Sequence, residues 1–124
     1  MSARPSAFEM KVLLAPTNVT AGGVTGSFVD LQDFLMGPRN IKCVWSVGAG
    51  TTAGTASGLI QQASTTAGTD ATTLVTFSNV TSAGGSEEAH AVPTKRYVRF
   101  VGDAQTAKDM NQFCAVFGDA RFKP

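Results

Sequence analysis

The chain has 124 residues, 43% of them hydrophobic and 15% charged, with a formal net charge of +1. The length suits one domain, and the charged fraction lies well below the roughly 25% of an average soluble domain. Nucleic-acid binding through a general basic excess is therefore disfavoured. We also expect neither a membrane span nor a secretory signal, because they need apolar runs of about 18 and about 7 to 15 residues.

Period-two alternation of apolar residues predicts short β-strands along the chain. Two runs place an apolar set on one predicted core face: Phe8, Met10, Val12 and Leu14 within 8–16, and Ile41, Cys43, Trp45 and Val47 within 41–47. Further strands are predicted at 58–64, 72–80, 91–101 and 113–117. Short strands separated by turn residues predict an all-β protein, either an antiparallel β-sandwich or a jelly-roll-like barrel.

The segment 27–38 departs from this pattern, because its apolar residues follow helical spacing. Ser27 with Asp30 resembles a capping box, and the Gly-Pro pair at its end would stop a helix. A helix of about eight residues is marginal, so an extended strand followed by a turn stays open as the alternative. Residues 107–113 form a second candidate helical turn.

The chain contains two cysteines, Cys43 and Cys114, and each lies within an apolar run. Unpaired cysteine packs as a small hydrophobic residue, which favours two buried free thiols over a disulfide between neighbouring strands. A metal site is disfavoured because His90 is the single histidine and no Cys-x-x-Cys spacing occurs. We expect no metal and no cofactor.

Two motifs resemble sites of known chemistry, but a plainer interpretation is favoured for each. "VGAGTTAG" at 47–54 is one residue longer than the dinucleotide fingerprint, and its continuation "TTAGTASG" will not hold the helix that must receive the pyrophosphate. "SEEAH" offers Glu87, Glu88 and His90 as acid–base groups, but metalloprotease spacing needs a second histidine. We predict an inter-strand loop for the first and a solvated loop before the 91–101 strand for the second, and we expect no enzyme.

The segment "VPTKRYVRF" at 92–100 holds the densest set of basic and aromatic residues. As a strand it directs Val98 and Phe100 into a core, and its basic groups would either snorkel to the surface or pair with carboxylates such as Asp103. The RNA-binding pattern that also mixes basic and aromatic residues needs glycines between them so that bases can stack, and they are missing here. A structural strand is therefore favoured over a nucleic-acid platform.

The composition of the two ends predicts extended arms around a single domain. The predicted boundaries are an N-terminal arm at 1–8, a β-sandwich domain at 9–118 and a C-terminal tail at 119–124. Terminal segments can become ordered when they dock on a neighbour. Arg4, Phe8 and Phe122 are the candidate partner contacts, and Phe122 lies between two basic residues.

Four segments of the chain occur in a recognisable order. They are "GSFVDLQDF" (26–34), then "IKCVWSVGAG" (41–50), a strand ending in glycine, then "GLIQQAS" (58–64), and last "PTKRYVRFVGD", which follows a strand-loop-strand with Thr- and Gly-rich turns. This order resembles a group of small structural proteins of tailed bacteriophages, and the resemblance covers about residues 19–103. "TTAGTD" (65–70) stands where the group has an acidic loop, and the stretch after Asp103 has no counterpart.

That group is similar to head-decoration or cement proteins, which bind the outside of an assembled capsid as oligomers. The resemblance implies a non-enzymatic virion structural protein on the capsid exterior, present in the host cytoplasm during assembly. Its implied partners are the major capsid protein and copies of itself, with no nucleic acid and no membrane. The arms and the Gly- and Thr-rich loops would then make the contacts.

Two alternatives stay open at this point. Head–tail joining proteins and tail proteins share β-sandwich architecture. "RYVRF" is also similar to the closing strand of discoidin-like carbohydrate-binding sandwiches, which would hold a sugar with exposed aromatic residues and polar loop tips. Trp45 is the single tryptophan, and its predicted place on the core face disfavours a sugar platform.

Overall fold

The computed structural model describes residues 8–19, 23–31, 40–50, 54–105 and 110–119. Within these ranges the chain forms ten β-strands and no helix. Their bounds are β1 Phe8–Val19, β2 Val24–Thr25, β3 Val29–Asp30, β4 Ile41–Val47, β5 Thr55–Ala63, β6 Thr72–Thr76, β7 Val80–Thr81, β8 Gly85–Ala91, β9 Tyr97–Gln105 and β10 Met110–Asp119. The all-β class predicted from the alternation is confirmed.

The strands form two antiparallel sheets that pack face to face. The four-stranded sheet has the order β1-β10-β4-β8. The six-stranded sheet has the order β2-β9-β5-β6, with β3 also paired to β9 and β7 paired to β5. The chain crosses repeatedly from one sheet to the other, so the core lies between the two sheets, as in a β-sandwich.

Aromatic residues from both halves of the sandwich meet at the centre of the core. Trp45 of β4 has no exposed surface and stacks on Phe77, with ring centroids 5.3 Å apart. Phe100 of β9 lies tilted against the same indole at 6.4 Å. The predicted insertion of Val98 and Phe100 is confirmed, since both are fully buried. The predicted core face of β4 is confirmed too, with all four residues buried: Ile41, Cys43, Trp45 and Val47.

Phe100 fits into the core because two glycines face each other beside its ring. Gly58 of β5 pairs with Gly102 of β9. A Cβ on Gly58 would lie 2.8 Å from the Phe100 ring, and one on Gly102 would overlap the same ring. Bare backbone at these two positions therefore leaves the space that the ring fills.

The face predicted for β1 is wrong for its first half. Met10 is 50% exposed and Val12 is 40% exposed, whereas Leu13 and Leu14 are buried. The register against β10 shifts between Val12 and Leu14, which marks a β-bulge. A bulge adds one residue to one strand, so the alternation that turns Leu14 toward the core turns Met10 and Val12 outward.

The helical predictions are wrong where the structure describes them. Ser27 lies outside any regular element, and β3 at Val29–Asp30 pairs with β9, so the strand-and-turn alternative holds for 27–31. Residues 110–113 begin β10. Pairing with a long neighbouring strand gives hydrogen-bond partners to backbone groups that would have none at the ends of such a short helix. The rest of both segments, 32–38 and 107–109, lies outside the described residues.

Two boundaries between 85 and 97 also differ from the predictions. The segment 86–90, predicted as a solvated loop, lies within the edge strand β8. Its inward-facing residues include the small Ala89 and Ala91. The alternation of apolar and polar residues that would predict a strand is therefore weak in this segment. Residues 92–96 are not part of a strand, and β9 begins at Tyr97. Pro93 explains this gap, because proline has no N–H to donate to a sheet.

Candidate interaction surface

The basic residues of "KRYVRF" are held by partners within the chain. The Arg96 guanidinium donates two hydrogen bonds to the Asp30 carboxylate, at 2.9 and 2.8 Å. These hydrogen bonds raise the pKa of Arg96. The predicted carboxylate, Asp103, lies near the far end of β9, whereas β3 places Asp30 directly opposite Tyr97. The expectation of ion pairing is thus met for Arg96 by a different residue, one that β3 supplies.

Arg99 is held between two neighbours on the outer face of the six-stranded sheet. Its Nε donates to Gln61 Oε1 at 2.9 Å, and its guanidinium carbon lies 4.4 Å from the Phe28 ring centroid. Phe28 packs in turn on Gly68, where a Cβ would come within 2.8 Å of the ring. Gly68 has a φ of +72°, so the turn geometry and the ring contact both require glycine.

Lys95 joins the loop after β5 to the start of β9. Its Nζ donates to the Asp70 backbone carbonyl at 2.6 Å and lies 3.5 Å from the Asp70 carboxylate. The Ser64 N–H donates to the same carboxylate at 3.0 Å. Hydrogen bonds from Ser64, and then the charge of Lys95, lower the pKa of Asp70 to about 2. With Lys95, Arg96 and Arg99 all engaged inside the chain, the geometry favours a structural role for this segment.

The outward face of the four-stranded sheet carries an apolar surface. Strand pairing places Met10 beside Phe117, and it places Val12 and Val44 on either side of Ala115. We call the following set the apolar patch: Met10, Val12, Val44, Phe113, Ala115 and Phe117. Ala115 lies at its centre and is fully buried without being part of the core cluster. The patch is therefore a second apolar face on β10, opposite the one that forms the core.

Polar residues border the apolar patch on the β8 side. Lys42 forms an ion pair with Glu88 at 3.2 Å, and His90 pairs with Lys42 in the strand register. Ser46 continues this border along β4 and is exposed. An apolar centre with a polar rim is the arrangement of surfaces that bind another protein.

The apolar patch was not predicted, although the sequence carries a signal for it. "FCAVF" in β10 is apolar at every position, and such a run indicates a strand that is covered on both faces. Val44 gives the same signal in β4, because it stands between Lys42 and Ser46 on the face predicted to be polar. The outward turn of Met10 and Val12 has no such signal, because it depends on the bulge.

An open groove of about 320 Å³ lies on the outer face of the six-stranded sheet, and we call it the sheet groove. Leu59 and Val101 pair with each other in its floor, and both are half-buried. Thr25 and Thr76 pair with these two residues from the flanking strands and form the margins. Asp103 lies at one end. The groove is thus mainly apolar, with hydroxyl groups along its sides.

The acidic residues and the histidine of β8 do not form a catalytic cluster. Glu87 accepts a hydrogen bond from the Ser78 N–H at 2.9 Å, and Glu88 is paired with Lys42. Glu87 and His90 fall on opposite faces of the strand. Across the part of the chain that the structure describes, no group of three or more His, Cys, Asp or Glu residues could hold a metal ion.

The glycine-rich segment 47–54 does not form a dinucleotide site of the usual kind. The element after it is the strand β5, which begins at Thr55. The fingerprint requires a helix at that point, because the helix N-terminus receives the pyrophosphate. The loop interpretation agrees with the described residues of this segment, because 48–50 and 54 belong to no regular element.

Cys43 and Cys114 are free thiols buried in neighbouring strands, as the sequence predicts. Cys43 pairs with Val116 and Cys114 pairs with Trp45, so the two cysteines are diagonal neighbours. Burial raises the pKa of Cys43 to about 11 and also raises that of Cys114. Both groups are therefore neutral, poorly reactive thiols that pack as small hydrophobic residues.

The predicted partner contacts fall mostly outside the described residues. Phe8 is the first residue of β1 and lies opposite Asp119 of β10. Arg4 and Phe122 belong to the segments that the structure does not describe. Trp45 is buried in the core, so the single tryptophan of the chain is not available as a sugar platform.

These features define the class of the chain as a two-sheet antiparallel β-sandwich with two outward surfaces, the apolar patch and the sheet groove. No family model, curated protein or solved structure matches it. In the described ranges, no helix is long and apolar enough to cross a membrane.

Proposed function

We propose that this chain is a non-enzymatic virion structural protein, a decoration or cement protein that binds the outer surface of an assembled phage head and stabilises it. The observation that carries the proposal is the apolar patch on the outward face of the four-stranded sheet. The resemblance of residues 19–103 to small phage structural proteins supplies the kind of partner, the major capsid protein.

The strength expected of this contact matches a protein that acts in many copies. Met10 and Val12 are about half exposed, so covering them contributes roughly 1 kcal/mol each, given about 1.5 to 3 kcal/mol for burial of a whole side chain. Together they change a dissociation constant by roughly 30-fold. One such patch binds weakly by itself. Copies that also touch each other on a shell reinforce one another through effective concentration.

A carbohydrate-binding role has less support from the structure. Such a module needs exposed aromatic rings, but Trp45 and Phe77 stack on each other in the core, and Phe113 and Phe117 of the apolar patch are only partly exposed. Tyr97 lies under the Arg96 guanidinium, 5.1 Å from ring centroid to guanidinium carbon. A head–tail joining or tail protein would use the same kind of sheet face. It would differ from a head-decoration protein in the part of the virion to which that face binds.

The proposal is tested by co-sedimentation of the purified chain with assembled shells from its own source that lack it. We expect saturable binding at a fixed ratio to the shell subunit, together with shells that survive higher temperatures. Purified tails from the same source serve as the comparison particle. Binding to tails with no binding to shells would assign the chain to the tail, and binding to neither would overturn the virion assignment.

A further inference from the structure

We infer that the sheet groove binds the segment around Phe122 of a second copy of this chain. The inference concerns contacts between copies, whereas the proposed function concerns the contact between the apolar patch and a shell. It is tested without shells, so either statement can fail while the other stands.

The lining of the sheet groove suits one apolar side chain flanked by positive charges. Leu59 and Val101 form an apolar floor, and the hydroxyl-bearing Thr25 and Thr76 stand at its margins. Among the groove-lining residues that the structure describes, only Asp103 carries a formal charge, and that charge is negative. Charge complementarity at the end of an apolar groove gives orientation as well as affinity.

The residues after β10 have this composition. "ARFKP" places Phe122 between Arg121 and Lys123. The ring would cover the apolar floor, while one flanking cation approaches Asp103. Asp103 already takes part in an interaction within its own chain. We therefore assign it the role of a nearby negative charge, not that of a vacant acceptor.

The groove lies out of reach of Phe122 in the same chain. Gln112, near the start of β10, donates from Nε2 to the Asp103 backbone carbonyl at 3.2 Å, which places the end of the groove opposite that residue. Asp119 lies seven positions further along β10, roughly 23 Å at about 3.3 Å per residue. Phe122 follows Asp119 by three positions, which span at most roughly 10 Å. The groove also opens on the far side of the opposite sheet, across roughly 10 Å of sandwich. A second copy must therefore provide the segment.

The geometry of such a contact sets the kind of assembly that forms. The donated segment and the receiving groove are different surfaces, so the contact forms either twice, in a reciprocal two-fold exchange, or once per neighbour, in a heterologous series. Heterologous contacts close into a ring or continue as an open chain of copies. Each copy then keeps its apolar patch uncovered for another partner.

Two single variants and one control test the inference by sedimentation velocity of the full chain over a concentration series. Phe122→Ala removes the donated ring, and Thr76→Arg adds a cation at the exposed margin of the groove that repels the flanking cations. We expect each to weaken self-association by about tenfold or more, as loss of one buried aromatic contact predicts. Thr72→Arg adds the same charge on the same strand outside the groove and should associate as the wild type does. Thermal unfolding of the three variants at the wild-type temperature shows that each one is folded.

Mixing the two variants gives the decisive result. The Thr76→Arg chain keeps its segment and the Phe122→Ala chain keeps its groove, so an equimolar mixture should form heterodimers that do not extend further. The inference is overturned if the wild type stays monomeric at every soluble concentration, if Phe122→Ala associates as strongly as the wild type, or if the mixture does not restore association.

Discussion

Trp45 and Gln112 are joined by a buried hydrogen bond, in which the indole Nε1–H donates to the Gln112 side-chain carbonyl at 3.0 Å. The same side chain donates from Nε2 to the Asp103 carbonyl of the opposite sheet at 3.2 Å. Gln112 is 1% exposed. It therefore satisfies the buried indole N–H and a partly buried carbonyl, and it links the two sheets through the core.

We expect Gln112→Leu to destabilise the protein by about 2 to 3 kcal/mol, because it leaves a buried indole N–H without an acceptor and a carbonyl without its donor. For a domain of this size that is a fall in Tm of roughly 10 °C. Thermal unfolding followed by circular dichroism measures it, with exposed Thr73→Ala as the control.

A double-mutant cycle then isolates the hydrogen bond between Trp45 and Gln112. Trp45→Phe removes the donor, so Gln112→Leu should cost less in that background than in the wild type. Equal costs in the two backgrounds would show that the hydrogen bond does not contribute.

The glycine pair beside Phe100 gives a prediction of the opposite kind, in which a side chain is added. Gly102→Ala would push a methyl group into the Phe100 ring and to 3.0 Å from Gln112 Oε1. Overpacking of a dense core costs about 1 to 3 kcal/mol. Gly48→Ala is the matched control, because its Cβ would meet its nearest neighbour at an ordinary 3.7 Å. If the two alanine variants unfold at the same temperature, the space at Gly102 is not limiting.

The strands β4 and β1 show how far the alternation of apolar residues predicts which face of a strand is buried. The core face of β4 is apolar at every second position, and its four predicted core residues are all buried. The pattern in β1 is equally regular, yet the bulge between Val12 and Leu14 reverses its first half. The position of a bulge depends on the partner strand and on the packing around it, and a single strand sequence carries neither. The outward turn of Met10 and Val12 was therefore not predicted.

Long-range partners are the second kind of information that the sequence does not carry. The cations of 95–99 were expected to pair with carboxylates, and two of them do. Asp30 reaches Arg96 from a short strand beside β9, and Asp70 reaches Lys95 from the loop after β5. Neither carboxylate is near in sequence, and their proximity follows from strand order, which one sequence does not determine.

The lowered pKa of Asp70 predicts a pH dependence with a definite sign. A carboxylate whose pKa falls from its ordinary value to about 2 on folding stabilises the folded state above pH 4, and this contribution is lost as the pH falls toward 2. We expect Asp70→Asn to unfold at a lower temperature than the wild type near neutral pH. The difference should shrink between pH 4 and pH 2. Thr69→Ala, a neutral change in the same loop, should show a pH-independent difference, and a constant gap for Asp70→Asn would contradict the assignment.

The apolar patch leads to the sharpest prediction about binding. Met10→Lys combined with Val12→Lys places two charges on a surface that is already about half exposed, so the fold should tolerate both changes. Shell binding should weaken by tenfold or more, because the apolar contact is lost and a charge must be desolvated. Quantitative co-sedimentation with shells that lack the protein measures this effect.

Charge itself must be separated from the loss of apolar contact in that experiment. Thr72→Lys combined with Thr81→Lys adds the same two charges at exposed strand positions of the other sheet and should leave shell binding unchanged. Met10→Glu combined with Val12→Glu should weaken binding as much as the lysine pair does. If the two pairs act in opposite directions, the contact is electrostatic and the apolar patch is not its cause. If neither pair weakens binding, the shell contacts a different face of the sandwich.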